Sequence, residues 1–348
     1  MKKIAILLVL IIFYASNTWA QKIDPQVKKE VELMSILARL AGYGEYNDDR
    51  GGRYTADIDS ILRKYRSHEA VKMMKQFKKK YGLGYDRVMS IALQIECRGD
   101  NIVKLDTGKK SISPIGQKET HEFLSALNDF YRTSRFNDFF NTHTDIYELG
   151  LQVFNDSVMA HFDQEWYTRF YGTPPAEQFR IIIGFTNGPC NYGPSRKLTG
   201  QPKEVFAIMN YAVDDNERPI FYKKVVETVV HEFCHSFTKI KGDTEKALEK
   251  SGKALQEYTY FSMRRQAYST WRNILEESLV RAATICYLID HDYDEKDIRN
   301  AIIEQVDRNF FWMPELVQTL RYYESHRKKY PTFTSFYPEI IRFFDRYV

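Results

Sequence analysis

The stretch VVETVVHEFCHSFTKI, residues 225–240, places two histidines and a glutamate within five positions: His231-Glu232-Phe233-Cys234-His235. What they can do depends on the local backbone. On a helix, His231 and His235 lie one turn apart on the same face, about 6 Å along the axis, so their imidazoles can converge on one ion. On a strand they lie roughly 13 Å apart and cannot chelate. The stretch is rich in β-branched residues, but its apolar positions, Val225, Val226, Val229, Val230, Phe233 and Phe237, follow the helical period and break strict alternation. The propensity penalty of the valines is only about a few tenths of a kcal/mol each, so the spacing predicts a helix.

A pair of imidazoles at this spacing suits zinc, which takes neutral histidine nitrogens and, in catalytic sites, three protein ligands with a fourth position left for water. Glu232 follows the first histidine and can stand beside that water as general base. The plain alternative is a pair of hydrogen-bonded histidines on a structural helix, and a third ligand decides between the two. Downstream, NILEESLVRAATICYL reads as a second helix carrying Glu276 and Glu277. Neighbouring helical residues diverge by about 100°, so only one of them faces a common ion, and periodicity leaves both open.

A second helix that supplies a glutamate is the pattern of the gluzincin metallopeptidases, and Glu277-Ser278-Leu279-Val280 resembles their ligand segment. That resemblance implies Glu277 as third zinc ligand. The stretch after His235, HSFTKIKGDTEK, has no third histidine and lacks the extension of the metzincins. Arg281, one turn after Glu277, is a candidate to orient that ligand or to bind a substrate carboxylate, and Tyr268 is a candidate oxyanion donor. The segments VELMSILARLAGYGEY, YDRVMSIALQ, FNDFFNTHTDIY, HEFCHSF and EESLVRA together resemble a family of exported bacterial proteins catalogued as domain of unknown function 4932. The resemblance covers nearly the whole chain and implies a zincin-like peptidase fold without implying a substrate.

The elements that must position these groups fall into two regions. Residues 1–20, with Lys2 and Lys3 ahead of an apolar run and a small-residue end at Ala20, read as a signal peptide. Cleavage near Ala20 would leave an exported protein, periplasmic or secreted. Residues 21–150 read as a helical N-terminal region: 31–42 and 67–82 (capped by Ser67), then YDRVMSIALQIE and 119–140, with a loop at 46–55. Residues 151–348 read as a zincin-like catalytic region with a helical C-terminal extension. It opens with two strands, FRIIIGFTN and EVFAIMNYAV, and the second of these, Glu204 to Tyr211, is the expected edge that a peptide substrate would pair with. Helices at 221–241, 246–266 and 271–291 follow. The fold class expected is α+β, predominantly helical.

Composition narrows the partners. Without Lys2 and Lys3 the formal charge falls from +4 to +2, which argues against nucleic acid, and no apolar run after the leader has membrane length. The 4 cysteines, Cys97, Cys190, Cys234 and Cys286, form no metal-type pair and read as unpaired. Cys190, in GPCNYGPS, lacks a local histidine to act as its base. The expectation is therefore an exported zinc metallopeptidase acting on a peptide or protein, with no cofactor other than Zn2+. A secreted binding protein on an inert metalloprotease scaffold is the alternative, and the intact Glu232 argues against it.

Overall fold

The computed structural model describes residues 22–347; the expected signal peptide lies outside them. The chain is α+β and predominantly helical. Among the described residues five strands form two small sheets: β1 (Ile95–Arg98) with β2 (Asn101–Lys104), and a second sheet of β3 (Gln178–Gly184), β4 (Ser195–Lys197) and β5 (Lys203–Asn210) in the order β3-β5-β4. Strand β3 runs parallel to β5, with Ile182 opposite Ile208, and β4 runs antiparallel to it.

The expected edge strand is therefore the central one. Residues 185–194 double back after β3 and lay β4 along the far side of β5. Burial agrees, since β5 is buried without a break from Glu204 to Met209, the pattern of a strand covered on both faces. On that side the edge is β4, only three residues long.

The helix bearing Glu277, Trp271–Asp290, is buried continuously from Ile274 to Leu288. Such all-round burial marks a helix packed on every side. Its neighbours are the helices Val225–Cys234, Asp243–Tyr258, Glu295–Asp307 and Met313–Ser325. Thr270 caps its start by accepting from the Asn273 amide. The motif helix, Val225–Cys234, buries Val226, Val229, Val230 and Phe233 between this helix and β5. Phe233 stacks on Phe179 of β3 with ring centres 4.2 Å apart. This anchoring fixes the rotation of the motif helix and hence the direction of its histidines.

Other boundaries differ from the periodicity. The helix expected through YDRVMSIALQIE stops at Ala92, and the chain turns at Gly99 into the β1–β2 hairpin. The helix Glu69–Tyr81 is capped by the His68 imidazole instead of Ser67. The polar 46–55 segment becomes helical from Arg53, and the 246–266 stretch is two helices, Asp243–Tyr258 and Tyr260–Arg265. Helix Thr144–Ser157 runs through residue 150, and one apolar core includes residues on both sides of it. All four cysteines are free. Among the described residues no helix is long and apolar enough to cross a membrane.

Within the N-terminal helix Lys29–Leu40, Glu32 is fully buried. Its carboxylate accepts from the Phe185 amide (2.8 Å), the Tyr54 hydroxyl (3.0 Å) and the Thr186 hydroxyl (3.2 Å). It thereby ties this helix to the end of β3.

Candidate metal centre

The motif helix ends at Cys234, so His231 lies in its last turn and His235 occupies the C-cap position. His235 still has right-handed helical dihedrals, φ −56° and ψ −22°, and this preserves the one-turn spacing. The two imidazoles are nearly perpendicular, 86° between planes, with centres 5.0 Å apart. Glu277 reaches them from the neighbouring helix. Its Oε1 lies 3.4 Å from His231 Nε2 and its Oε2 lies 3.6 Å from His235 Nε2. One ligand atom from each of the three residues falls within 4.8 Å of the other two.

Glu276, one residue earlier, points elsewhere. Its Oε1 accepts from the Ile240 amide at 2.8 Å and its Oε2 meets Lys239 Nζ at 3.2 Å. It fastens the segment after the motif helix, and of the two glutamates only Glu277 joins the histidines.

Two further residues marked in the sequence act on Glu277. Arg281 Nη2 lies 2.6 Å from Glu277 Oε1, and the Tyr268 hydroxyl donates to the same oxygen at 2.9 Å. Arg281 Nη2 also donates to the Tyr268 oxygen at 2.9 Å, closing a triangle. With its proton directed at Glu277, Tyr268 serves in this arrangement to hold the carboxylate. Arg281 is itself held by Gln305, which accepts from Nη1, and by the Phe310 ring, 5.1 Å from its guanidinium carbon. Neither Gln305 nor Phe310 carries a sequence signal.

The electrostatics suit a cation. Burial drives His231 down to about 3, against the pull of Glu277, and it lowers His235 as well, so both imidazoles are neutral at pH 7 and keep a lone pair for an ion. Burial would raise the Glu277 carboxyl, but His231, Arg281, His235 and the Tyr268 hydrogen bond outweigh it and hold the group at about 2. Once the imidazoles are neutral, Arg281 is the neighbour that keeps Glu277 ionised. Two neutral nitrogens and one anionic oxygen make a donor set that fits zinc.

Glu232 stands apart from this triad. Burial, with the nearby Glu277 carboxylate second, pushes its carboxyl up to about 7. Its Oε2 abuts Gly193, where an added Cβ would collide with it. Gly193 is therefore part of the wall of the site, two residues ahead of β4. The sequence signal was slight, a glycine in GPCNYGPS before Pro194, whose importance depends on an approach made only in three dimensions. Cys190, in the same loop, is partly buried. Of the remaining histidines, His143 is buried and bonded to Asp57 and the Phe139 carbonyl, and His291 is bonded to Asp163 and the Tyr287 carbonyl. Neither belongs to the cluster.

Fold and site together define a predominantly helical α+β protein with a His/His/Glu cluster able to hold a metal ion. The chain belongs to the family described as a domain of unknown function, DUF4932, whose match spans residues 23–343. Comparison with curated proteins and with solved structures found no match.

Proposed function

We propose that this protein is a zinc-dependent peptidase with a zincin-like catalytic region, in which His231, His235 and Glu277 hold the metal and Glu232 is the general base. One observation carries the reading: two imidazoles from one helix and a carboxylate from the next bring a donor atom each to within 4.8 Å of one another. A zinc ion held there supplies Lewis acidity, which polarises a carbonyl and acidifies water at neutral pH.

The remaining work falls to the chain. Tyr268 and Arg281 hold Glu277 in place and keep it charged. Glu232 accepts the proton of the attacking water. A carboxylate raised to about 7 is a stronger base than an exposed one, and it is still substantially ionised at neutral pH. It can then return that proton to the leaving amine. Strand β4, paired only with β5 in its sheet, supports binding of an extended peptide by strand addition, and it begins two residues after the glycine that touches Glu232. The leader-like residues 1–20 favour action outside the cytoplasm.

Replacing Glu232 by Gln tests the reaction. The variant is expected to keep zinc and to lose hydrolysis of a proteome-derived peptide library by about 10² to 10⁴, the usual contribution of general-base assistance. Wild-type protein that holds zinc and cleaves nothing in that library would favour a binding protein on an inert scaffold.

A further inference from the structure

A polar cavity of about 540 Å³ lies beside the donor cluster, lined by Ser262, Arg265, Gln266, Tyr268, Asp307 and Arg308. We propose that it receives an anionic group of the substrate, an acidic side chain or a free C-terminal carboxylate, next to the scissile bond. This rests on the peptidase reading.

Tyr268 joins the two places. Its hydroxyl is 2.9 Å from the Glu277 oxygen while its side chain walls the cavity, so a group bound there lies one residue from the metal donors. The lining carries two guanidinium groups against one carboxylate. Arg308 Nε lies 3.5 Å from Glu304, a loose pairing on an exposed side chain. Among the described residues Arg265 and Asp307 have no ion-pair partner, with each other or elsewhere. Guanidinium groups bind carboxylates through paired hydrogen bonds, which gives such a pocket direction as well as charge.

The walls are tied together before any ligand arrives. Gln266 Nε2 donates to the Arg308 carbonyl at 2.8 Å and to the Ser262 carbonyl at 3.3 Å. Asn309 Nδ2 donates to Ser262 Oγ at 2.6 Å. Helix Tyr260–Arg265 and the 307–309 segment are thus locked to each other, and a pocket fixed in this way binds with less ordering cost. Asp307 limits the charge accepted, admitting one anion and opposing a second.

The test uses fluorescent heptapeptides of one parent sequence with Glu, Gln or Lys placed at each position in turn, each made as the free acid and as the amide. Dissociation constants are measured by anisotropy on the full chain carrying Glu232→Gln, with zinc and again with a chelator. At one position Glu is expected to bind about three- to fivefold tighter than Gln, the size of a solvent-exposed charge-assisted contact. Combining Arg265→Gln and Arg308→Gln should abolish that preference, and Asp307→Asn should enlarge it. A preference that survives amidation identifies a side-chain carboxylate; one lost on amidation identifies the chain terminus. Equal binding of Glu and Gln peptides everywhere, a preference for Lys, no binding at all, or a Glu preference that persists without both arginines overturns the proposal. Failure of the peptidase reading shows itself separately, as wild-type protein that cleaves none of the peptides it binds.

Discussion

Glu32 and Glu277 are both buried glutamates on helices, yet their surroundings drive them in opposite directions. Around Glu32 the fold supplies only neutral donors, Phe185 N–H, Tyr54 and Thr186, and burial wins, pushing the carboxyl up to about 7. Around Glu277 the same burial is overcome by Arg281, Tyr268 and two imidazoles, and the group is held at about 2. Burial by itself therefore does not mark a functional acid. At Glu32 both oxygens are occupied by donors from the fold. At Glu277 the partners beyond Arg281 and Tyr268 are the Nε2 atoms of His231 and His235, 3.4 and 3.6 Å from its oxygens, a grouping that could hold a cation.

The contrast between the two glutamates depends most on Arg281. Arg281→Met would leave Glu277 buried without its cation, and loss of one member of a buried pair costs about 3 to 5 kcal/mol. Denaturant unfolding in the presence of a chelator should show that loss. A change below about 1 kcal/mol would mean that Glu277 does not depend on Arg281 for its charge.

Glu32 predicts a pH dependence of the opposite origin. Its folded value of about 7 lies above the ordinary 4.5, so between those values the folded chain keeps a proton that the unfolded chain has released. The stability it contributes is present below pH 4.5 and is lost as pH rises through about 7. From pH 5 to pH 8 the wild type should therefore lose roughly 2 to 3 kcal/mol that Glu32→Gln does not lose. Parallel stability curves for the two proteins would remove the contrast with Glu277.

The smallest effect concerns Glu232, the proposed base. Gly193→Ala places a methyl group against the Glu232 carboxylate, and the side chain must swing aside. Hydrolysis should fall about tenfold, since small misplacements of reacting groups are costly, while zinc affinity stays unchanged. A parallel loss of zinc would show that the loop supports the ligands and not the base.

How much of this was readable beforehand differs from residue to residue. The motif helix was legible because four buried positions, Val226, Val229, Val230 and Phe233, repeat at the helical period and leave His231 and His235 on another face. Glu277 shares a polar stripe with Asn273, Arg281 and Thr284, but the helix is buried all round, so periodicity alone did not separate it from Glu276. Only the partners, Arg281 and Tyr268 on one side, Ile240 and Lys239 on the other, distinguish them. The central place of β5 depends on a three-residue strand too short to have a pattern of its own. The β1–β2 hairpin was hidden because Ile95 continues the apolar period of the helix before it. Gly193 and Gln305 matter through contacts between distant segments, which no local spacing records.

We propose that His231, His235 and Glu277 form one zinc site and that Glu276 is outside it. Zinc dissociation constants from competition with a chelator test this directly, on wild type and on His231→Ala, His235→Ala, Glu277→Gln and Glu276→Gln. One zinc per wild-type chain is expected, with affinity reduced more than about a hundredfold in the first three variants and less than about tenfold in the last, because losing a ligand exceeds the usual cost of losing its outer support. A wild-type chain that takes up no zinc, or a loss in Glu276→Gln equal to that in Glu277→Gln, would contradict it.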